Sequence, residues 1–195
     1  MKQTIKNLEK KIKDLYYNPP KIKSNADPKR KEFLKNFWDY HVAKVMEESM
    51  KMAEKYGGDK EVVYIGAMMH DVGFIYSKTR HSVVGAVKAY SILLKNKFGK
   101  KIAREVSNIA LTHQCKHEFP NTIEEKIVAT ADAIAHFSPA YYLGLSVIAK
   151  EDYKDLAKKN FLKLIKDYDN KIFFETERKK FKRVMKSFKK IFREK

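Results

Sequence analysis

Four residues of this sequence carry imidazole or carboxylate onto faces that are otherwise apolar. His41 shares a helical face with Leu34, Phe37, Trp38 and Val45. His70 and Asp71 stand side by side at the end of the apolar run IGAMMHDVGF, residues 65–74. Asp132 sits among alanines in IVATADAIAHF, residues 127–137. A buried charge is costly unless it is paired or bound to a metal. Two neutral imidazoles and two carboxylates suit a divalent transition metal: the nitrogens favour Mn, Fe, Co, Ni or Zn, and the oxygens keep the site hard enough for phosphate chemistry. Singly, each residue reads more plainly as a core histidine, a helix cap or an ion-pair partner. Together, on three helices, they read as a metal set.

Two more histidines extend the pattern. His81 opens a helix in HSVVGAVKAYSIL, where Gly85 leaves room for close approach four residues on. His113 closes another after Ile109 and Ala110. If both face the same pocket, a second metal would sit about 3.5–4 Å from the first with Asp71 between them. The plainer alternatives are a solvent-exposed helix start for His81 and a dipole-favoured helix end for His113. One or two metals per chain are therefore expected.

Helices must position these groups. Over 195 residues, only 7 glycines and 5 prolines break the pattern, which favours an all-α fold. Ile5, Leu8, Ile12 and Leu15 mark an N-terminal helix, ended by Pro19 and Pro20. One long helix is predicted over 29–56, stopped by Gly57 and Gly58. Asp59 caps the next, which runs to the His-Asp pair, and Gly73 marks a turn. Helices follow over 81–97, stopped by Gly99, and over 100–113. Thr122 and Glu125 have capping-box spacing and open a helix to about 137, ended by Pro139. Two or three Lys-rich helices fill 140–195, with a break near DYDNK, residues 167–171. The predicted organisation is an N-terminal helix and linker (1–32), a metal-binding core (33–147) and C-terminal helices packed on it (148–195). Those last helices also carry apolar positions that would suit another subunit, so the oligomeric state stays open.

The formal charge is +18, carried mostly by the ends. Residues 1–31 hold 10 Lys/Arg against 3 Asp/Glu, residues 32–149 hold 15 against 13, and residues 150–195 hold 17 against 8. Such ends are solvated helix faces or polyanion-binding surfaces; nucleic acid is the partner the second reading implies. Terminal aromatics such as Tyr16, Tyr17, Phe174 and Phe181 fall at core spacing and read as packing. A single cysteine, Cys115, rules out an internal disulfide and fits a reducing compartment, so a cytoplasmic protein is expected. No 18-residue apolar run is present, so no membrane span is predicted, and the basic N-terminus lacks the apolar core of a signal peptide.

The order His41, His70-Asp71, Asp132 resembles the HD superfamily of metal-dependent phosphohydrolases. So does the text around these residues: HVAKV, GAMMHDVG, HSVVGAVKAYSIL, IALTHQ and KIVATADAI, together spanning about 37–137. The resemblance implies an HD-domain-like helical bundle, here with basic helical extensions at both ends. It assigns the metal role to His41, His70, Asp71 and Asp132, and places His81 and His113 where two-metal members have ligands. It implies hydrolysis of a nucleotide or related phosphate ester by attack of a metal-bound hydroxide. Whether the bond is a phosphomonoester, a pyrophosphate or a phosphodiester is left open.

Departures narrow the branch. The cyclic-dinucleotide phosphodiesterases have lysine after His-Asp-x-Gly where this chain has Phe74, and a His-His-Glu run where it has THQC. No Gly-Tyr-Pro follows. The Glu-Asp of alarmone hydrolases is missing from VGFIYS. Relatives with six such ligands include diiron oxygenases, which stand as the alternative beside a nucleic-acid-binding module. For substrate phosphate, positive charge is expected from Lys78 and Arg80 in the loop after the pair, from Lys44 one turn beyond His41, and from Lys116 and His117 after His113. His136, one turn after Asp132, reads as an outer partner of the site or a core histidine.

Overall fold

The fold is given by a computed structural model that describes residues 2–22, 25–138, 141 and 153–191. Helix α1 (Gln3–Tyr17) buries Ile5, Leu8, Ile12 and Tyr16 and leaves its lysines in water. Each such buried side chain contributes about 1.5–3 kcal/mol by transfer from water. The basic face of α1 is thus the outer side of a docked helix, lying across α2 (Pro28–Phe37) and α4 (Lys60–Met69).

Helix α2 does not continue unbroken to residue 56, as its pattern predicts. It passes into a wide turn at Trp38–Val42, where the Ala43 N–H reaches back five residues to the Trp38 carbonyl, and then into α3 (Ala43–Tyr56). Such wide turns inside helices recur at functional sites, and this one carries His41. Gly57 and Gly58, at φ 86° and 100°, end α3 as expected. Asp59 caps α4 by accepting from the N–H groups of Glu61 and Val62 at 2.8 and 3.2 Å.

Helix α4 is apolar almost all round and runs through the centre, packed on α3, α6 (Lys100–Thr112) and α7 (Ile123–Ala135). Gly66 admits α6 closely: a Cβ there would lie 2.4 Å from Ile109 Cδ1. After the His-Asp pair, a tight 3-10 turn (Val72–Ile75) meets the start of α5 (His81–Lys95), which pairs with α6. Gly73 and Gly85 touch across this junction. Helix α5 ends earlier than predicted, and Lys97 takes the left-handed conformation at φ 63°. Gly99 is instead the residue before α6, with an extended backbone.

Thr122 caps α7 by accepting from Glu125 N–H at 3.2 Å. The return bond of the predicted capping box shifts by one residue, because Glu125 Oε2 accepts from Asn121 N–H at 2.9 Å. Helix α7 ends at Ala135, and the expected stop at Pro139 lies outside the described residues, as does the predicted boundary at 147–148. Helix α8 (Tyr153–Lys171) rests on α7, and α9 (Glu175–Ile191) on α8. The predicted break near DYDNK is displaced: those residues are the last turn of α8, and the break follows at Ile172–Phe174. Among the described residues there is no strand, and no helix is long and apolar enough to cross a membrane.

Candidate metal centre

Four helix ends and the wide turn converge on one buried cluster. His41 comes from the turn, His70 and Asp71 from the end of α4, His113 from the end of α6, and His81 from the first residue of α5. Asp132 comes from the last turn of α7. All but His81 are buried.

The two oxygens of Asp71 face in different directions. Oδ2 lies 3.3 Å from His70 Nε2 and 3.5 Å from His41 Nε2. Oδ1 lies 3.3 Å from both His81 Nε2 and His113 Nε2. Asp132 Oδ1 joins the first pair, 3.2 Å from His41 Nε2 and 3.8 Å from His70 Nε2. Two clusters result, His41–His70–Asp132 and Asp71–His81–His113, each with donor atoms within 4.8 Å of one another. The six predicted ligands are thus brought together, with Asp71 between the clusters.

The hydrogen bonds behind the rings favour a cation at this point. Nδ1 of His70, His113 and His81 lies 2.7, 2.8 and 3.0 Å from the carbonyls of Ala67, Ala110 and Lys78, each three residues back. An N–H donated there leaves Nε2 as a lone pair aimed at the centre, the usual posture of a metal-ligating histidine. His70 Nε2 then faces His41 Nε2 at 3.3 Å. Asp71 Oδ1 and Asp132 Oδ1 are buried without a well-formed hydrogen bond. Lone pairs turned on one another around orphaned carboxylate oxygens fit a divalent ion.

Electrostatics agree with this donor set at Asp71, Asp132 and His113. Burial raises the Asp71 carboxyl, but the imidazoles around it, His70 and His81 first and then His113 and His41, outweigh it and hold it well below the usual carboxylate range. Burial also raises Asp132, and His136, Lys171 and His41 bring it far down. Burial lowers the pKa of His113, the direction that favours the neutral imidazole. For His70, burial is again the largest influence and lowers the pKa, but Asp71 and Asp132 reverse the direction.

The site opens into a cavity of about 590 Å³ whose far wall is α8. Lys159, Asn160, Lys163 and Lys171 line that side, Lys78 lines the loop side, and Phe37, Phe74 and Tyr141 supply aromatic surface. Of the five groups expected to meet phosphate, only Lys78 lines this cavity. Lys44 turns to Glu47 and Glu48, at 3.0 and 2.9 Å, and lines a separate depression beside Glu177. Arg80, Lys116 and His117 are exposed and outside the lining. Lys44 is drawn away by the two glutamates of its own helix, and Arg80, Lys116 and His117 stand in loop segments outside the helices that form the cluster.

Sequence reasoning missed the contribution of α8. His136 Nδ1 lies 2.8 Å from Asp167 Oδ2, and His136 Nε2 lies 3.3 Å from Asp132 Oδ1, so this histidine bridges two carboxylates. Burial pushes its pKa down to about 4. Lys163 Nζ lies 2.7 Å from Asp167 Oδ2, and Lys171 pairs directly with Asp132 Oδ2. Gln114 was missed as well: its side-chain amide lies 2.6 Å from His81 Nε2. The signal in α8 was its phase, since Asp167 and Lys171 fall three and seven residues after the buried Leu164.

Comparisons with known proteins agree with this architecture. The structure of Bacillus subtilis YpgQ in complex with ADP aligns over 95% of this chain and 98% of its own, at a TM-score of 0.59 and 19% identity. A predicted HD superfamily hydrolase from an uncultured Thermotogales bacterium aligns over 82% of this chain and 87% of its own, at a TM-score of 0.52 and 19% identity. In sequence, a tRNA (cytidine(56)-2'-O)-methyltransferase of Picrophilus torridus is 35% identical over 106 residues, 47% of this chain. The chain spans only 29% of that protein's length. The family model for the HD domain matches residues 38–136, half of the chain. That segment runs from the wide turn to the end of α7 and holds all six clustered side chains, and the chain belongs to the HD-domain family.

Proposed function

We propose that this chain is a metal-dependent phosphohydrolase acting on a nucleotide or a related phosphate ester. The observation that carries the reading is the division of Asp71, one oxygen toward His41 and His70 and the other toward His81 and His113. His41, His70, Asp71 and Asp132 would hold one divalent ion, and His81 and His113 would complete a second position across Asp71. A bound ion of this kind lowers the pKa of water and polarises a phosphoryl oxygen.

The chain's own residues supply the rest. Lys78, Lys159 and Lys163 bring positive charge to the cavity, suited to the phosphate oxygens of a substrate. Phe74 and Tyr141 present aromatic surface beside the cluster, suited to a base or sugar. YpgQ, a protein of the same fold, was crystallised with ADP, which supports a nucleotide among the candidates. The six-donor arrangement also supports a diiron redox centre as the second reading, and oxygen consumption separates the two.

The test is metal content by elemental mass spectrometry, with phosphate release from a nucleotide panel and oxygen uptake, for wild type and Asp71→Ala. Metal retained by the wild type, with phosphate release, and both lost in the variant, is the expected result. An Asp71→Ala protein with metal and hydrolysis intact, or a wild type that takes up no Mn, Co or Ni, refutes the proposal. Oxygen uptake without phosphate release turns it to redox chemistry.

A further inference from the structure

The two central carboxylates are used differently. Asp71 turns both oxygens to imidazoles. Asp132 turns only Oδ1 to the cluster, while its Oδ2 is taken by the Lys171 ammonium. Lys171 is 4% exposed and lies in the last turn of α8, 35 positions beyond the end of the HD match. Its ammonium also lies 3.8 Å from Asp167 Oδ1. The backbone beneath it is fixed independently. The Thr130 hydroxyl donates to the Lys171 carbonyl at 2.9 Å and accepts from the Phe173 N–H at 3.1 Å. Helix α7 thus grips the end of α8 two residues away from Asp132.

A buried ammonium is expensive to desolvate. Neutralising Asp132 does not require one, because a divalent ion on Oδ1 would do so. What the ammonium adds is selection between the two oxygens. It blocks the approach of a second cation to Oδ2 and draws charge from the carboxylate.

We propose that Lys171 is a positioning residue that confines Asp132 to one-oxygen coordination and so keeps a place at the metal open for water and substrate. This rests on the metal-dependent reading given above. Catalytic metal sites need such an open place, whereas closed sites are structural. The ammonium also lowers metal affinity, since it repels the ion and weakens its ligand. Losing Lys171 therefore has an unusual signature. Metal binds more tightly while the open place closes. A residue that merely holds the fold together does the reverse when removed.

The experiment is a Co²⁺ titration of the full chain followed by visible absorption, then addition of inorganic phosphate. It compares wild type, Lys171→Met, Lys171→Gln and Lys171→Arg. In Lys171→Met, Co²⁺ is expected to bind about tenfold tighter, the size usual for partners of metal ligands but opposite in sign. Its absorptivity should fall as a second oxygen joins, and phosphate should no longer change the spectrum. Lys171→Gln carries the same comparison if the Met variant loses helicity, and Lys171→Arg should behave as wild type. Weaker Co²⁺ binding in the Met and Gln variants, or a wild-type spectrum and phosphate response, overturns the assignment. A wild type that binds no Co²⁺ sinks the metal reading itself, and this inference with it.

Discussion

Replacing Gly73 by alanine tests the link between the fold and the site. A Cβ on Gly73 would lie 2.0 Å from the His81 carbonyl oxygen, 2.4 Å from Gly85 N and 2.7 Å from Gly85 Cα. Ordinary carbon contacts lie near 3.5–4 Å. All three obstacles are backbone atoms of α5, so no rotamer change relieves them. The first turn of α5 must move away by about 1 Å or more. Overpacking usually costs about 1–3 kcal/mol, and a clash with fixed backbone belongs at or above the top of that range, about 3–5 kcal/mol. For a chain of this size that is a fall in Tm of roughly 6–20 °C. The same movement takes His81 away from Asp71 Oδ1, now 3.3 Å distant, so the second equivalent of Co²⁺ should be lost before the first. Gly66→Ala is the control. Its Cβ meets the end of the Ile109 side chain at 2.4 Å, which can turn aside at about 1–2 kcal/mol. Thermal unfolding by circular dichroism and Co²⁺ stoichiometry read both effects. A Gly73→Ala protein that melts with the wild type, or above Gly66→Ala, would refute the reasoning.

Two further outcomes follow from the same geometry. Gln114→Ala removes the amide from His81 Nε2, so the second equivalent of Co²⁺ should bind about tenfold tighter and the first as before; calorimetry showing the second weakened would contradict this. Glu177, buried between Lys55, Tyr56 and Lys180, ties α9 to α3, and those partners overcome burial to bring its pKa down to about 2 from 4.5. A depressed carboxyl pKa adds stability that is present above about pH 4.5 and lost as pH falls through about 2. With partly exposed lysines as partners, Glu177→Gln should cost about 1–2 kcal/mol at neutral pH. That difference should shrink steadily as pH falls from about 4.5 through about 2, and a constant gap across an acid series of melts would contradict it.

The parts of this centre that local pattern reveals were legible, and the parts that depend on distant packing were not. His41, His70, Asp71 and Asp132 each interrupt an apolar stripe within their own helix, so their burial can be read without knowing what covers them. Helix caps at Asp59 and Thr122 declare themselves within a few residues. Asp167 and Lys171 do not. Four apart on a Lys-rich helix, they look like a solvated ion pair, and only the docking of α8 on α7 makes them buried partners of the cluster. Lys44 shows the converse. It sits beside a ligand in sequence, but Glu47 and Glu48 on its own helix claim it. The basic ends divide similarly: the lysines of α1 are the wet side of a packed helix, as charge runs usually are.

The wide turn at Trp38–Val42 sets the phase of the helices on either side. Phe33, Phe37, His41, Val45, Ser49 and Ala53 are all buried, and each stands four residues from the next. In an unbroken α-helix a step of four overshoots a full turn by about 40°, so five steps would carry the last residue roughly 200° round, to the opposite side. The wider turn takes up part of that drift. It works as a phase corrector, letting α2 and α3 present a common edge to the core with a metal-ligand candidate at the joint. Deleting one residue there would rotate α2 about 100° against α3 and send Phe33 and Phe37 toward water. Within this stretch only an outward position such as Tyr40, 56% exposed, can change side chain without touching the core, because Trp38, His41 and Val42 are buried; a change in the number of residues from Trp38 to Val42 disturbs both flanking helices at once.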